Sequence, residues 1–304
     1  MKTLRVLSYA INGRGMGHLV RQLAILRWMR RYAELLGVRL EPWVLSSSEA
    51  DTLARREGIP CIKIPSKSMI RDAGLDPSST LGVMRGWVLS AVATLQPDLM
   101  LVDTFPGGTF GELAGVLEIP RRRVLVARPV QDWIAQEAAF RSLLPLYDRV
   151  IVPEPPERVQ HNPPFDRRES YVGPILIRER EELQSREAAR AALGLTGRAV
   201  YLSLGGGGDP QANRILPALV PQLRAAGWEV VVGAGPLYQG PELRGPGIVW
   251  LDRYVPVELF PAMDAAVSAG GYNSFHELMY CGIPTVFLPQ PRLADDQAGR
   301  VQRA

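Results

Sequence analysis

A glycine turn and the polar residues that follow it, near the C-terminal end of the chain, could bind a nucleotide. In the run S-A-G-G-Y-N-S-F-H-E an apolar strand precedes Gly270 and Gly271, which can adopt positive φ. Asn273 or Ser274 can cap a helix whose first N–H groups lack intrahelical partners and suit a phosphate. Glu277, about one helical turn further on, can accept hydrogen bonds from two neighbouring hydroxyls. Phosphate and diol together indicate a nucleotide; an ordinary glycine-rich corner is the alternative.

The same residues belong to a longer pattern. The run G-Y-N-S-F-H-E, followed by C-G-I-P, F-L-P and D-D-Q, resembles the nucleotide-sugar signature of GT-B glycosyltransferases of the MurG, plant and macrolide types. The runs G-R-G-M-G-H and D-T-F-P-G-G are most similar to those of bacterial MurG-like predicted glycosyltransferases. The resemblance implies that Glu277 binds the ribose and that the turn from Gly270 to Ser274 binds the diphosphate. It further implies that Asp296 and Gln297 contact the donor sugar.

The succession of apolar runs and helical segments predicts an α/β protein with two halves. Strands alternate with helices in both halves, the pattern of a parallel sheet covered on both faces. A charged stretch places the linker at 173–180. We therefore predict two Rossmann-like, doubly wound parallel-sheet domains, 1–175 for the acceptor and 176–304 for the nucleotide sugar, facing across a cleft as in GT-B enzymes. The predicted strands are 4–9, 39–45, 61–64, 98–103, 123–126 and 149–152, then 199–204, 229–233, 248–251, 265–268 and 285–288.

Composition excludes several classes of protein. With 304 residues, 46% hydrophobic and 22% charged, the chain is long enough for two globular domains. The two cysteines and three histidines show no metal-ligand spacing, so neither a metal nor a cofactor is expected. A net charge of +4, from 35 basic and 31 acidic residues, suits anionic small molecules or lipid headgroups better than nucleic acid. No signal peptide or membrane-spanning run is evident, which predicts a cytoplasmic protein with at most weak contact at the membrane's inner face.

The first glycine loop, G-R-G-M-G-H, contains the candidate base. Its third glycine, Gly17, comes one residue early for a dinucleotide motif, and no acidic residue ends the second strand, so NAD binding is disfavoured. Gly15 and Gly17 are assigned to an acceptor loop. His18 begins the following helix, whose dipole would keep the imidazole neutral and able to accept a proton. The alternative is a histidine that only packs or caps.

Asp103 is the candidate partner of that base. It ends a predicted strand at the edge where doubly wound sheets collect functional groups, and it could orient the histidine. Capping the turn T-F-P-G-G is an equal alternative. The resemblance favours the first role, because plant glycosyltransferases hold their catalytic histidine with a comparable aspartate.

Three further segments have more than one interpretation. In the run G-G-G-G, the N–H groups of Gly206 and Gly207 could meet the donor phosphates or the acceptor, or the run could be a hinge. Val255, in the run D-R-Y-V, could frame the nucleotide base or simply pack a loop. The segment 66–87 could receive the acceptor. The first helix has four arginines beside Trp28, which suit either an anionic bilayer or solvent; they are Arg21, Arg27, Arg30 and Arg31.

The function these residues predict is inverting transfer of a sugar from a nucleoside diphosphate sugar, with UDP favoured, to an acceptor hydroxyl. The acceptor class stays open among lipid-linked, glycan and small-molecule hydroxyls. Two alternatives remain: a nucleotide-sugar hydrolase, because G-M-G-H-L-V-R also resembles pseudaminic-acid pathway hydrolases, and a non-catalytic sugar-nucleotide-binding subunit. The sequence ends at Ala304, sooner than the resemblance implies, so the second domain is expected to be truncated, either because the sequence is a fragment or because the parent has lost its closing element.

Overall fold

The computed structural model divides the chain into two compact units. The first is Met1–Ile177 with Leu293–Asp295, and the second is Arg178–Arg292 with Asp296–Ala304. The main segment of the first unit therefore ends two residues after the boundary that the sequence predicts. The structure describes residues 2–12, 15–156, 169–251, 256–292 and 294–303.

The first unit is built on a seven-stranded sheet in which every described pairing is parallel. When the strands are numbered along the chain, their order across the sheet is 3-2-1-4-5-6-7. This order changes direction between the first and fourth strands, so their carboxyl ends flank the crevice where doubly wound sheets bind ligands. The strands are β1 (Lys2–Ala10), β2 (Val38–Ser46), β3 (Cys61–Lys63), β4 (Leu99–Asp103), β5 (Arg122–Val126), β6 (Arg149–Val152) and β7 (Glu169–Tyr171).

Helices cover this sheet, and local sequence explains the buried side of the first helix and the start of the fourth. The first helix buries Leu19, Leu23 and Leu26, whose spacing places them on one side. The fourth begins at Pro77 because the side chain of Asp76 accepts a hydrogen bond from the backbone N–H of Ser79. The helices are α1 (Gly17–Leu35), α2 (Thr52–Arg56), α3 (Lys67–Asp72), α4 (Pro77–Leu95), α5 (Asp132–Ala135) and α6 (Ala138–Arg141).

The second unit repeats the plan with five parallel strands. They are β8 (Ala199–Ser203), β9 (Glu229–Val232), β10 (Ile248–Trp250), β11 (Ala265–Ser268) and β12 (Thr285–Phe287). The order β10-β9-β8-β11-β12 changes direction between β8 and β11, so the loops after those two strands meet at its ligand-binding edge. Its helices are α7 (Arg186–Leu193), α8 (Ala212–Ala225), α9 (Tyr272–Tyr280) and α10 (Gln297–Gln302).

All eleven predicted strands are present in the structure, with ends displaced by at most two residues. The short strand β7 was missed, because three residues with partly exposed side chains carry little hydrophobic pattern. The segment 66–87, predicted as a loop and then a helix, contains the whole of α3 and the start of α4. None of the helices in the described ranges is both long enough and apolar enough to cross a bilayer.

Candidate active site

His18 and Asp103 meet at the edge of the first sheet. His18 is the second residue of α1, which follows the loop after β1, and Asp103 is the last residue of β4. Because β1 and β4 are neighbours, the two side chains come together, and Nδ1 of His18 hydrogen-bonds to Oδ2 of Asp103. A carboxylate can only accept, so Nδ1 carries the proton and, in the neutral ring, Nε2 keeps its lone pair. The structure thus pairs the two residues that the sequence singled out.

Asp103 is fully buried and receives four further hydrogen bonds. Arg21 donates from Nε to Oδ1 at 2.9 Å and from Nη2 to Oδ2 at 2.6 Å, a two-pronged ion pair. Gln22 Nε2 donates to Oδ1 at 3.3 Å and Thr104 Oγ1 to Oδ2 at 3.1 Å. Sequence reasoning placed Arg21 with the other arginines of α1 on a basic surface. That assignment was wrong, because Arg21 is 2% exposed.

The electrostatics favour a neutral histidine beside an ionised aspartate. Burial opposes ionisation of Asp103, but the positive charge of Arg21 and the hydrogen bonds from Arg21 and His18 outweigh it and hold its pKa below the usual range. Burial lowers the pKa of His18, an effect that the Asp103 carboxylate opposes and that Arg21 and Arg128 reinforce. The imidazole is therefore in its base form at neutral pH.

Thr104, next to Asp103, has a backbone conformation that β-branched residues rarely adopt. Its φ is 63°, in the left-handed region, and its side chain is fully buried. Its N–H donates to the carbonyl oxygen of Val126 at 2.8 Å, which holds the turn in place. Such strain is found mainly where surrounding structure enforces it, often at functional sites. It turns the chain sharply just after the buried carboxylate.

A cavity of about 220 Å³ lies against His18 within the first unit. Phe105 and Phe110 give it an aromatic wall, and Lys67 brings a positive charge, its Nζ lying 5.0 Å from the centre of the Phe110 ring. Since Nδ1 of His18 is bound to Asp103, Nε2 is the nitrogen left for a ligand here. The cavity is lined by Ile11, Asn12, His18, Ser47, Pro65, Lys67, Phe105, Thr109 and Phe110.

Glu112, which sequence reasoning missed, fixes the loop that carries this aromatic wall. It is buried and accepts hydrogen bonds from the backbone N–H groups of Thr109 at 3.0 Å and Phe110 at 2.7 Å. The hydroxyl of Tyr9, on β1, donates to the same carboxylate. Gly108, at φ 81°, leaves the space that this carboxylate occupies. The run D-T-F-P-G-G-T-F-G-E is therefore one folded loop.

The glycines of the predicted acceptor loop have no unusual backbone angle in the described part of the chain. Gly17 is the first residue of α1, and the carbonyl oxygen of Gly15 accepts from Ser48 Oγ at 3.3 Å. Asn12 supports the helix start, because its Oδ1 accepts from the N–H of Leu19 at 3.1 Å. Gly13 and Arg14 of this loop lie outside the described residues.

In the second unit, the turn after β11 corrects two expectations. The φ of Gly271 is −62°, and neither it nor Gly270 is among the described glycines with positive φ. A Cβ on Gly270 would instead lie 3.0 Å from Val301 Cγ2, so close packing against α10 explains that glycine. The helix starts at Tyr272 with Gly271 as its N-cap, so Asn273 and Ser274 lie inside the first turn and do not cap it.

Glu277, on α9, is a buried acid with no hydrogen-bond donor among the described residues. It is 7% exposed, and burial raises its pKa to about 7 despite the opposing charge of Arg178. Arg178 itself hydrogen-bonds to Glu258 at 2.5 Å. A buried carboxyl group without donors is costly, which is expected where a ligand supplies the missing hydrogen bonds.

Asp296 and Gln297 both have structural contacts. Asp296 caps α10 by accepting from the N–H of Gly299 at 2.9 Å, and Gln297 accepts at Oε1 from the N–H of Gln290 at 2.9 Å. Gln290 is buried with its own Oε1 unbonded within the described residues. Arg300, which sequence reasoning missed, donates to the carbonyl oxygen of Gly270 at 2.8 Å and so ties α10 to the turn.

The glycine run after β8 packs against the loop after β9. Gly205 and Gly207 have positive φ, 88° and 80°, and Leu237 donates its N–H to the carbonyl oxygen of Gly206 at 3.0 Å. These glycines therefore lie close to the chain's own backbone. Val255 lies outside the described residues.

Gly205 and Gly207 form a matched pair for a stability test. A Cβ on Gly207 would lie 2.3 Å from the carbonyl oxygen of Ala234, whereas one on Gly205 meets nothing within 4 Å. We expect Gly205→Ala to cost about 1 kcal/mol for its left-handed backbone, and Gly207→Ala about 2–4 kcal/mol because overlap with backbone is added. Urea unfolding of both variants measures the difference, and equal losses would contradict the packing described here.

No group of three or more potential metal ligands occurs among the described His, Cys, Asp and Glu side chains. The positive charge that faces Asp103 comes from the buried guanidinium group of Arg21. In the second unit, the first turn of α9 presents the positive end of a helix dipole.

The chain is similar in sequence to known glycosyltransferases. No protein-family model matches the chain. An uncharacterized glycosyltransferase of Methanopyrus kandleri is 28% identical over 154 residues, which cover 50% of this chain and 44% of that protein. The UDP-N-acetylglucosamine–N-acetylmuramyl-(pentapeptide) pyrophosphoryl-undecaprenol N-acetylglucosamine transferase of Symbiobacterium thermophilum is 28% identical over 213 residues, 67% of this chain and 55% of that enzyme. The chain thus spans about half the length of these curated relatives.

Solved structures show the fold. SsfS6, a glycosyltransferase of Streptomyces sp. SF2575, matches with a TM-score of 0.61 at 18% identity, over 99% of this chain and 84% of that one. SnogD, a glycosyltransferase of Streptomyces nogalater, matches with a TM-score of 0.62 at 15% identity, over 99% and 85%. The class is therefore the GT-B fold, as expected from the sequence. In sequence, the chain is similar to glycosyltransferases, among them the N-acetylglucosamine transferase of S. thermophilum.

Proposed function

We propose that this protein transfers a sugar, with inversion, from a nucleoside diphosphate sugar to an acceptor hydroxyl, with His18 as the general base. The observation that carries the proposal is the His18–Asp103 pair beside a cavity. Nδ1–H is held by a buried carboxylate, so the unprotonated Nε2 is left for a hydroxyl in that cavity. Homology to glycosyltransferases supports the reaction class.

The proposed step is a single displacement. The acceptor oxygen forms a bond to the anomeric carbon as its proton passes to Nε2 of His18, and the bond from that carbon to the diphosphate oxygen breaks. Asp103 orients the imidazole and stabilises the imidazolium that forms. The leaving diphosphate takes the bonding electron pair, and backbone N–H groups at a helix start stabilise its charge.

The donor is proposed to bind the second unit at the turn after β11. The N–H groups of the first turn of α9, which includes Asn273 and Ser274, have no side-chain cap and suit a diphosphate. Glu277 is proposed to accept the two ribose hydroxyls, which would supply the donors that it lacks. A second structure of SsfS6 is a complex with thymidine diphosphate, and the S. thermophilum relative is named for a UDP-sugar. These support a nucleoside diphosphate donor, with UDP favoured.

The other proposed contacts with the donor are assigned from where the residues lie in the second unit. Gln297 is proposed to reach the sugar with its amide nitrogen, since its Oε1 is occupied by Gln290. Asp296 caps α10 through Oδ1 and can offer its other oxygen. Gly206 and Gly207 lie in the loop after β8, at the same edge of the sheet as the turn after β11. Val255 stays a prediction from the sequence.

The acceptor is proposed to enter the cavity beside His18. Its aromatic wall favours an apolar or ring-shaped group next to the reacting hydroxyl, and Lys67 favours a nearby negative charge. A lipid-linked acceptor combines both properties. Val83 and Trp87, about half exposed on α4, favour weak peripheral contact with a membrane.

Incubation with UDP-sugars tests the function. Transfer predicts release of UDP that depends on an added acceptor hydroxyl; release into water alone would mean a hydrolase, and binding without release a non-catalytic subunit. Each trial acceptor is assayed with and without anionic phospholipid vesicles. Sedimentation of the protein with the vesicles is the expected sign of peripheral contact, and its absence would contradict that contact alone.

A further inference from the structure

Arg21 explains how a histidine beside a buried carboxylate can remain neutral. A fully buried aspartate is costly to ionise alone, and an adjacent imidazole tends to take a proton to compensate it. Such a pair would be imidazolium with carboxylate, which cannot accept a proton from a hydroxyl. In this protein, Arg21 already compensates Asp103 through two hydrogen bonds at 2.9 and 2.6 Å.

We propose that Arg21 is a positioning residue that supplies the counter-charge of Asp103 and fixes its carboxylate, so that His18 remains an unprotonated base. Three features of Arg21 support this role. It is 2% exposed, it grips both carboxylate oxygens, and its Nη2 lies 3.4 Å from Nδ1 of His18. A second positive charge on the imidazole would therefore face the guanidinium at short range.

The charged groups around His18 show why the protonation of its ring depends on Arg21. The imidazole faces Asp103 from β4, Arg21 from α1 and Arg128 from the segment after β5, and Lys67 of α3 lines the same cavity. Arg128 is itself paired with Asp295. The start of α1 adds its positive dipole end, since His18 is the second residue of that helix. Burial of the imidazole opposes its protonation, Asp103 alone draws a proton onto it, and Arg21 neutralises Asp103.

The inference rests on the proposed role of His18 as base, but its main test needs no substrate. Nitrogen-15 NMR of the ring nitrogens reports the tautomer and protonation of each histidine in the full chain. The chain has three, His18, His161 and His276, and the His18 signal is assigned by its loss in His18→Gln. In the unaltered protein, we expect His18 to carry its proton on Nδ1 and to remain neutral at pH 7.

Arg21→Gln removes the counter-charge and should let Asp103 draw a proton onto His18. The midpoint of the His18 titration should move to a pH about 1–2 higher than in the unaltered protein. Arg21→Lys keeps the charge but loses the two-pronged geometry, so its midpoint should stay close to the original. Arg27→Gln is the matched control, since Arg27 lies on the same helix and pairs with Glu57 at 2.9 Å.

An unchanged His18 midpoint in folded Arg21→Gln would overturn the proposal. So would a doubly protonated His18 in the unaltered protein at pH 7, a result that needs no variant to fold. If the protein proves active, the low-pH limb of kcat/KM should move upward with the NMR midpoint in Arg21→Gln and not in Arg27→Gln. Should NMR give the expected shift while no transfer is found, the role of Arg21 stands and the proposed function fails.

Discussion

His18→Ala is expected to lower kcat by about 10²–10⁴-fold while leaving UDP affinity nearly unchanged. The substitution removes the imidazole whose Nε2 is left for the acceptor, whereas the proposed donor contacts all lie in the second unit. Single-turnover measurement at saturating acceptor, together with calorimetric titration of UDP, separates the two effects.

Two variants act as controls for this result. His18→Gln can still donate a hydrogen bond to Asp103 but cannot accept a proton at neutral pH, so it should be as slow as His18→Ala. Asp103→Asn keeps the base with a weaker orienting partner and should lose less turnover. If His18→Ala instead weakens UDP binding and spares turnover of bound substrate, His18 is a phosphate ligand or a helix-start residue.

Glu277→Ala is expected to weaken UDP binding by about 1–3 kcal/mol, roughly 5–150-fold, because two ribose hydroxyls would lose their acceptor. Calorimetric titration of UDP measures this directly. For a UDP analogue that lacks the 2′-hydroxyl, the loss of affinity caused by Glu277→Ala should be smaller than for UDP. Unchanged UDP affinity would remove Glu277 from the site.

Substitution of Glu277, expected to weaken UDP binding, should increase the stability of the free protein. The pKa of Glu277 is raised to about 7 by burial, so between about pH 4.5 and 7 the folded protein holds a proton that the unfolded chain releases. The free energy of unfolding therefore falls as pH rises through this window. Glu277→Gln removes that loss and should be more stable than the original by about 2–4 kcal/mol at pH 8, with little difference below pH 4.5.

Urea unfolding at both pH values, without nucleotide, tests this expectation. Weaker UDP binding by Glu277→Ala, together with higher stability of nucleotide-free Glu277→Gln, is the result expected for a residue that serves ligand binding at the expense of stability. General damage to the fold would lower both quantities. A stability difference that does not change with pH would mean that Glu277 does not titrate in the folded protein as described.

Much of this fold follows from local pattern. Apolar runs of four to six residues, each followed by a helical stretch, leave few choices other than parallel strands with crossover helices. Functional residues of such sheets collect at the carboxyl ends of strands, so the residue order alone singles out Asp103 and the turn at Gly270. Their contact with His18 and with α10, respectively, is what the tertiary structure adds.

Glycines were the least reliable guide. Gly270 and Gly271 could have adopted positive φ, yet Gly270 is explained by the closeness of Val301, thirty-one positions further along the chain. Nothing in the neighbouring residues signals such an approach. A glycine can serve a backbone angle or a close contact, and only the positions of distant segments distinguish the two.

The sequence by itself determined the order of all strands but β7, their ends to within two residues and the candidate base, because these depend on residues close to one another along the chain. The tertiary structure alone decided the place of Arg21 and Glu112. An arginine on a helix is predicted to face solvent, since burying its charge is costly without a partner. The partner of Arg21 is Asp103, 82 residues away, and only folding brings that carboxylate to it. The charges around His18 are therefore set by tertiary contacts that no local pattern encodes.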